Sequence, residues 1–403
     1  MSEQALQGLC VLEYGNGVTA AYAGKLMADL GAEVIKIERP EVGDSARHRE
    51  PFAQDKPGLD RSGLFAYLNT NKYSVTLDCE KPEGKKLFKQ LVEKSDILIE
   101  NNSPQFMKDL GLTYPELEAI NSQLVMVSIT PFGQTGPHSL YKAFELTTYN
   151  SCGYGMASTA CIEEPVMPPV KAGGSQSEFA GGQAAAAAAM TAIFARDHLG
   201  AGQHIDLSIQ ELMAHQYEAA IQHWTFDENE IGGVSSPVMH PILPLECSDG
   251  WIFLMCVEDF QFDRLVEVMG NPEWASEELF VDRFVRAEYI DALKIFLTEW
   301  SMEHTKEEIF QMCQAAKIPV GPAYSAQEVV ESEHLKERKY FVEIDHPEIG
   351  PAVYPGAPYR FSQTPWKIDS AAPRLGEHNQ KVFGESLGIS EQELDAMRQS
   401  GTI

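Results

Sequence analysis

The sequence predicts an α/β protein: a large Rossmann-like parallel-sheet domain with a smaller α+β domain set into it. Three observations carry this. Short apolar runs alternate with stretches of helical pattern through the first half of the chain. The first run ends in a glycine turn, Gly15-Asn16-Gly17, that opens a helix. The 403 residues, 44% hydrophobic and 22% charged, suffice for a large core and two domains. The predicted boundaries are 1–224 for the large domain, 225–325 for the small one, and 326–403 for a linker and C-terminal part.

The elements follow in order. GLCVLEY (8–14) reads as a first strand and 18–30 as a helix with Ala20, Ala21, Ala23, Leu26 and Met27 inside. EVIKIE (33–38) is a second strand, and 41–63, polar with Gly and Pro, a loop. YSVTLD (73–78) is a third strand, followed by a helix over 82–95 with Pro82 at its start. DILIEN (96–101) and LVMVSITPF (124–132) are strands, with a short helix at 115–121 between them. Residues 168–196 open on two prolines, pass Gly173-Gly174 and enter a long helix with six consecutive alanines, Ala184 to Ala189. A helix without a polar face packs tightly between other elements or lines a cavity. HIDLSIQELMAHQYEAAIQHWTF (204–226) runs from strand into helix, and 227–244 is loop-like. SDGWIFLMC (248–256) starts the second unit, with helices at 259–269, 285–301 and 305–316. Residues 326–366 are Pro-rich and partly extended, and the tail ends in a short helix within 380–400.

The net charge is -28. That argues against nucleic acid and anionic membrane as partners, since both call for a basic face. No apolar run reaches the roughly 18 residues of a membrane span, and no signal peptide leads the chain. The seven cysteines, at 10, 79, 152, 161, 247, 256 and 313, form no CxxC pair and no zinc pattern. The expectation is a reduced, cytoplasmic protein without a metal site.

Three features admit rival readings. Gly15, Gly17 and Ala20 fit G-x-G-x-x-A after a strand, and Glu38 ends the next strand, as in a dinucleotide site with its ribose-binding acid. Alone this suggests an NAD-dependent oxidoreductase, or a tight turn with no dinucleotide. Arg39, Arg47, Lys72 and Lys142 fall at or near strand ends, where such sheets bind ligands, so they form a candidate anion site or are solvated charges. Glu178 is the acid near the start of the alanine helix. It serves either as a first-turn carboxylate stabilising the helix or as a reactive group.

Several stretches together, in order along nearly the whole chain, resemble the family III CoA-transferases. They are MADLGAEVIKIERPEVGDSAR (27–47), LNTNKYSVTLD (68–78), PEGKKLF (82–88), ITPFGQTGP (129–137), GAGQHIDLSIQE (200–211), FVEIDHPEIG (341–350) and PRLGEHN (373–379). The resemblance implies a Rossmann-like domain that binds coenzyme A rather than NAD, a chain that passes from the large domain to the small one and returns to the large one within 326–403, and two chains threaded through each other as an interlocked dimer. It implies a carboxylate nucleophile near the start of the helix preceding the G-x-G-Q turn, and counting back from Gly200-Ala201-Gly202-Gln203 puts Glu178 there, with Gly182 matching a glycine four residues later. It implies that Val18, Arg39, Lys72, Asn101, Lys108 and Gly136 line the CoA site, with no metal. Small residues beside the nucleophile would admit CoA.

The chain departs from the family pattern at several points. Glu178 stands where the family has Asp, and Val18 where it often has a polar Gln. Asp109 stands where an Arg near CoA is common, and Phe144 where a racemase histidine would fall, which speaks against racemase activity. The shielding glycine-rich loop would correspond to GGVSSPVMH, 232–240. The expected function is transfer of CoA from an acyl-CoA donor such as succinyl-CoA to a carboxylic acid. This chain is then either a subunit whose homologous partner carries the catalytic Asp, as in transferases of the succinyl-CoA:benzylsuccinate type, or a self-sufficient homodimer using Glu178. The departures around one centre favour the partnered version.

Overall fold

A computed structural model describes residues 4–158, 168–228 and 240–403. The described residues fall into two compact units, those within Met1–Tyr154, Lys171–Glu218 and Glu337–Ile403, and those within Gly155–Val170 and Ala219–Lys336. The described part of Gly155–Val170 thus groups with the smaller unit, whereas the sequence reading put it in the larger.

The larger unit holds six parallel strands: β1 (Cys10–Tyr14), β2 (Glu33–Glu38), β3 (Lys72–Thr76), β4 (Ile97–Glu100), β5 (Val125–Thr130) and β6 (His204–Ser208). Their order is β3-β2-β1-β4-β5-β6. The chain steps outward one way from β1 and then returns to step the other way, so the strand order reverses between β1 and β4. Near-continuous burial of β2, β4 and β5 matches a sheet covered on both faces.

The helices of this part of the chain are α1 (Thr19–Ala28), α2 (Gly63–Leu68), α3 (Pro82–Val92), α4 (Pro104–Leu110), α5 (Tyr114–Glu118), α6 (Glu145–Ser151), α7 (Tyr154–Ser158), α8 (Gln176–Leu199) and α9 (Ile209–Gln216). On one face Ala20, Ala23 and Met27 of α1 pack with Ala185, Ala189 and Ala192 of α8 over Val11, Ile97 and Val127. Alanines on both helices let their axes approach closely. On the other face Leu87, Phe88 and Leu91 of α3 pack over Leu12, Ile35 and Leu98 together with Val382, Phe383, Leu394 and Ile403 from the end of the chain.

The C-terminal return is welded to the exposed edge of β3. Asn379 Oδ1 accepts from Thr76 N at 2.8 Å, its Nδ2 donates to Thr76 Oγ1 at 2.8 Å, and His378 Nδ1 accepts from Ser74 N at 3.3 Å. Side chains here satisfy an edge strand that would otherwise present free N–H groups. An antiparallel hairpin, Phe341–His346 with Gly350–Pro355, lies in the stretch read as Pro-rich and extended.

The smaller unit has a three-stranded antiparallel sheet, Ile242–Cys247, Gly250–Met255 and Val320–Pro322. Its core gathers Leu245, Ile252, Leu254, Phe262, Leu293, Leu297, Ile309 and Cys313. Among the described residues no helix is long and apolar enough to cross a membrane.

Candidate active site

The start of α8 is the chemically richest place in the larger unit. The helix N-cap, Ser175, makes no side-chain cap. Glu145, in the first turn of α6, caps it instead. Its carboxylate accepts from Ser177 N and Glu178 N, each at 3.1 Å, and from Ser177 Oγ at 2.5 Å. Thr148 Oγ1 holds Ser177 Oγ from the other side at 2.8 Å, and Lys171 Nζ lies 3.6 Å from Glu145 Oε1. The free N–H groups and partial positive charge of a helix start suit a carboxylate. The carboxylate that uses them is that of Glu145, not that of Glu178.

Glu178 itself is left with a side chain 24% exposed, its Oε2 3.8 Å from Nη1 of Arg49. Arg49 follows a 3-10 turn, Ser45–His48, and its Nη2 also donates to Ser175 Oγ at 3.4 Å. The next residue, Phe179, packs into a small cluster with Val18, Ala21, Leu68, Tyr22 and Tyr67. Val18 is therefore a buried apolar plug at the start of α1, in contact range of the Glu178 helix, and presents no polar group. Gly182 has a different reason to be small from the one the sequence suggested. A Cβ there would sit 2.6 Å from Thr19 O and 3.0 Å from Tyr22 Cβ. Its lack of a side chain lets α1 and α8 touch, and makes no opening for a ligand.

The other expected ligand residues separate into two groups. Arg39 is exposed and lines a cleft of about 160 Å³ at the carboxyl ends of β1, β2 and β3, with Tyr14, Asn16, Asp78, Asn102 and Phe106. This cleft lies beside the point where the strand order reverses, the usual ligand position in such sheets. Glu178 does not line it. Lys108 and Gly136 are exposed, in the last turn of α4 and in the loop after β5.

Lys72 and Asn101 do not present free groups to a ligand. Lys72 sits at the amino end of β3, fully buried, with Nζ donating to Glu13 Oε2 at 2.7 Å, Ala21 O at 2.7 Å and Asn69 Oδ1 at 2.9 Å. A buried ammonium with three acceptors is a structural ion, so the anion-site reading of Lys72 is corrected. Burial, only partly offset by Glu13, draws its pKa down to about 8. Arg47 is likewise buried, held by Glu38 at 2.7 and 2.8 Å and by Asp60 at 2.6 Å. Asn101 braces the first turn: its Oδ1 accepts from Asn16 N at 2.8 Å and its Nδ2 donates to Asn16 O at 2.7 Å and Thr19 Oγ1 at 2.8 Å.

These contacts also dispose of the NAD reading. Glu38, the would-be ribose ligand, is buried and committed to Arg47, Ser74 Oγ at 2.6 Å and Asp44 N at 3.0 Å. Arg47 holds its carboxyl below the usual range against the cost of burial. Gly15 is small because a Cβ would come 2.4 Å from Asn101 Oδ1. Much of the motif IERPEVGDSAR is thus scaffold: Asp44 Oδ1 accepts from Gly17 N at 2.8 Å while Lys36 bridges Asp44 and Glu13, at 2.6 Å each.

Sequence reasoning missed Glu145, Arg49 and Lys171. Glu145 adjoins Phe144, which is 82% exposed, and nothing in the local pattern marks it as a cap for a helix 30 residues on. Residues 231–239, the core of the expected glycine-rich shield, lie outside the described residues. Among the described residues no cluster of His, Cys, Asp or Glu is arranged to hold a metal, and the six cysteines described are free thiols.

A doubly wound parallel sheet of this order, covered by helices on both faces, defines the Rossmann-like class of α/β domain. The chain belongs to CoA-transferase family III, whose sequence profile matches residues 6–379. It is similar to the succinyl-CoA–L-malate CoA-transferase alpha subunit of Chloroflexus aurantiacus, 33% identical over 98% of this chain and 91% of that protein. It is also similar to a succinyl-CoA–D-citramalate CoA-transferase of the same organism, 32% identical over 99% and 98% of the two chains. A CaiB/BaiF family protein of Brucella suis has the same fold, with TM-score 0.84, 29% identity and coverage of 95% of this chain and 99% of the other. The protein is therefore a transferase.

Proposed function

We propose that the chain moves CoA from an acyl-CoA donor, such as succinyl-CoA, to a carboxylic acid, with Glu178 as the nucleophile. One observation carries this: at the position where the family resemblance puts the nucleophile, a carboxylate is partly exposed and lies 3.8 Å from a guanidinium, Arg49, that can orient it. Glu178 attacks the thioester carbonyl, the C–S bond breaks, and a mixed anhydride and CoA thiolate result. The thiolate attacks the Glu178 acyl carbon and releases the donor acid. The acceptor carboxylate then attacks the glutamyl thioester, CoA thiolate leaves, and its attack on the acceptor carbonyl of the new anhydride yields acceptor-CoA and free Glu178. No net proton is exchanged. Glu145 positions this step by fixing the Ser177–Glu178 turn, and since it takes the N–H groups of both residues, oxyanion stabilisation has to come from other donors. Arg39 and the cleft at the strand ends are the proposed place for the nucleotide end of CoA.

A second reading rests on the Asp-to-Glu change, on the apolar Val18 and on the similarity to a protein named as an alpha subunit. In it a homologous chain, interlocked with this one in the cytoplasm, carries the working Asp. The test is to incubate the purified chain, alone and with a homologous subunit, with succinyl-CoA, trap with hydroxylamine and map the adduct by mass. A hydroxamate at Glu178, lost in Glu178→Gln, is expected. An adduct confined to the partner chain would establish the second reading in its place.

A further inference from the structure

The surroundings of Arg49 point to the kind of acid the enzyme takes, granted that Glu178 is the acylated residue. Two cations meet the head of α8, Lys171 and Arg49, and a third, Arg47, precedes Arg49 by two residues. Arg47 is buried and saturated by Glu38, Asp60 and the carbonyl of Pro373. Lys171 is mostly buried and turned to Glu145. Arg49 alone of the three is both beside Glu178 and open, its side chain 47% exposed. Its backbone is fixed, because its carbonyl accepts from Ser62 Oγ at 2.6 Å. Among the described residues its head makes one ion pair at 3.8 Å and one long hydrogen bond, to Ser175 Oγ, which leaves most of its five donors uncommitted there.

Acylation changes the charge at this spot. When Glu178 becomes an anhydride or thioester it loses its negative charge, and Arg49 loses its counter-ion. A monocarboxylic acyl group offers nothing in exchange. An acyl group ending in a second carboxylate restores the pair. In a four-carbon diacid, three carbon–carbon bonds of about 1.5 Å each separate the carboxyl carbons, a reach of roughly 4 Å. That is on the scale of the spacing between Arg49 and Glu178. The planar guanidinium is the side chain best shaped to receive a carboxylate two-pronged. We infer that Arg49 is a specificity-determining residue that reads the distal carboxylate of a dicarboxylic acyl group.

The test compares succinate with butyrate, which has a methyl in place of the distal carboxylate, as acceptors from one acyl-CoA donor. The holoenzyme is used, with its homologous subunit if activity requires one. Wild type is expected to prefer succinate in kcat/KM. Arg49→Gln is expected to lower the succinate-to-butyrate ratio by about 10- to 100-fold, the range for a charge-assisted hydrogen bond. Arg49→Lys is expected to fall between the two. A wild-type ratio near one, or a ratio unmoved by Arg49→Gln, overturns the inference while leaving the transferase reading intact. Exchange with neither acid, together with no adduct at Glu178, would overturn that reading first. The ratio is insensitive to any general loss of activity in the variant.

Discussion

Lys72 and Arg39 were both expected to meet an anion, yet only Arg39 reaches solvent. The difference is a matter of strand ends and partners. Lys72 opens β3 at its amino end, and its ammonium is one corner of a buried lattice with Glu13, Lys36 and Asp44. Charge alone in a sequence does not say which end of a strand it occupies to within a residue or two, nor whether its counter-charge comes from a neighbouring strand. Glu178 was singled out by the family resemblance together with the countable turn that follows it. Arg49 and Glu145 were not, because what brings them to Glu178 is tertiary packing. A buried acid elsewhere gives a test at this scale. Glu100, at the end of β4, accepts from Asn102 N at 2.7 Å, and burial pushes its pKa up from 4.5 to about 7. The fold then binds a proton more tightly than the unfolded chain does. Its contribution is fully present below about pH 4.5 and is lost as pH rises to about 7. At about 1.4 kcal/mol per pKa unit the effect is on the order of 3 kcal/mol. Glu100→Gln is expected to flatten that part of the stability–pH curve. Urea unfolding of both forms at pH 5 and pH 7.5 would show it, and parallel curves would count against a neutral buried carboxyl.

Among the elements, α8 carries the most information. Its alanines announced close packing, and Ala185, Ala189 and Ala192 are buried as that reading required. The glycines within it are the sharper constraint. Gly182→Ala would drive a methyl to within 2.6 Å of the Thr19 carbonyl, a backbone atom that cannot move aside alone. Overpacking of this kind costs about 1–3 kcal/mol. The expected result is a lower urea midpoint together with weakened transferase activity, since Glu178 rides on the same helix. Elements missed from the sequence have local reasons. Ile242–Cys247 contains Pro244 and follows Pro241, which disguised a strand. It lies at the edge of its sheet, where a residue without an N–H is tolerated. The helices Pro104–Leu110 and Glu145–Ser151 are short, so they show too little periodicity to be read. The parallel strands were legible because most are compact runs rich in Val, Ile and Leu bounded by turn residues, while β3 and β6 alternate polar with apolar residues.

For the molecule as a whole, the defining fact is that the larger unit is discontinuous in sequence. Its N-terminal stretch supplies five of the strands, and Glu337–Ile403 returns to seal one edge and one face. Val382, Phe383, Leu394 and Ile403 are buried in the core with β1, β2 and β4 residues. A chain ending at Lys336 is therefore expected to lack a cooperative unfolding transition in the larger unit and to bind a hydrophobic dye. A sharp transition with an unchanged midpoint would show the return segment to be dispensable. The sequence carried this return only through the motif PRLGEHN, whose Asn379 and His378 turn out to serve β3 rather than any ligand.

That return segment also bears on how the protein is made. The residues that cap β3 leave the ribosome about 300 residues after the strand itself. While the chain from 219 onward is being synthesised, the nascent sheet has an open edge and an uncovered apolar face. At about 5–20 residues per second, this interval lasts roughly ten to forty seconds. An unpaired edge strand exposed for that long is an aggregation template, a hazard that ends when Glu337–Ile403 docks.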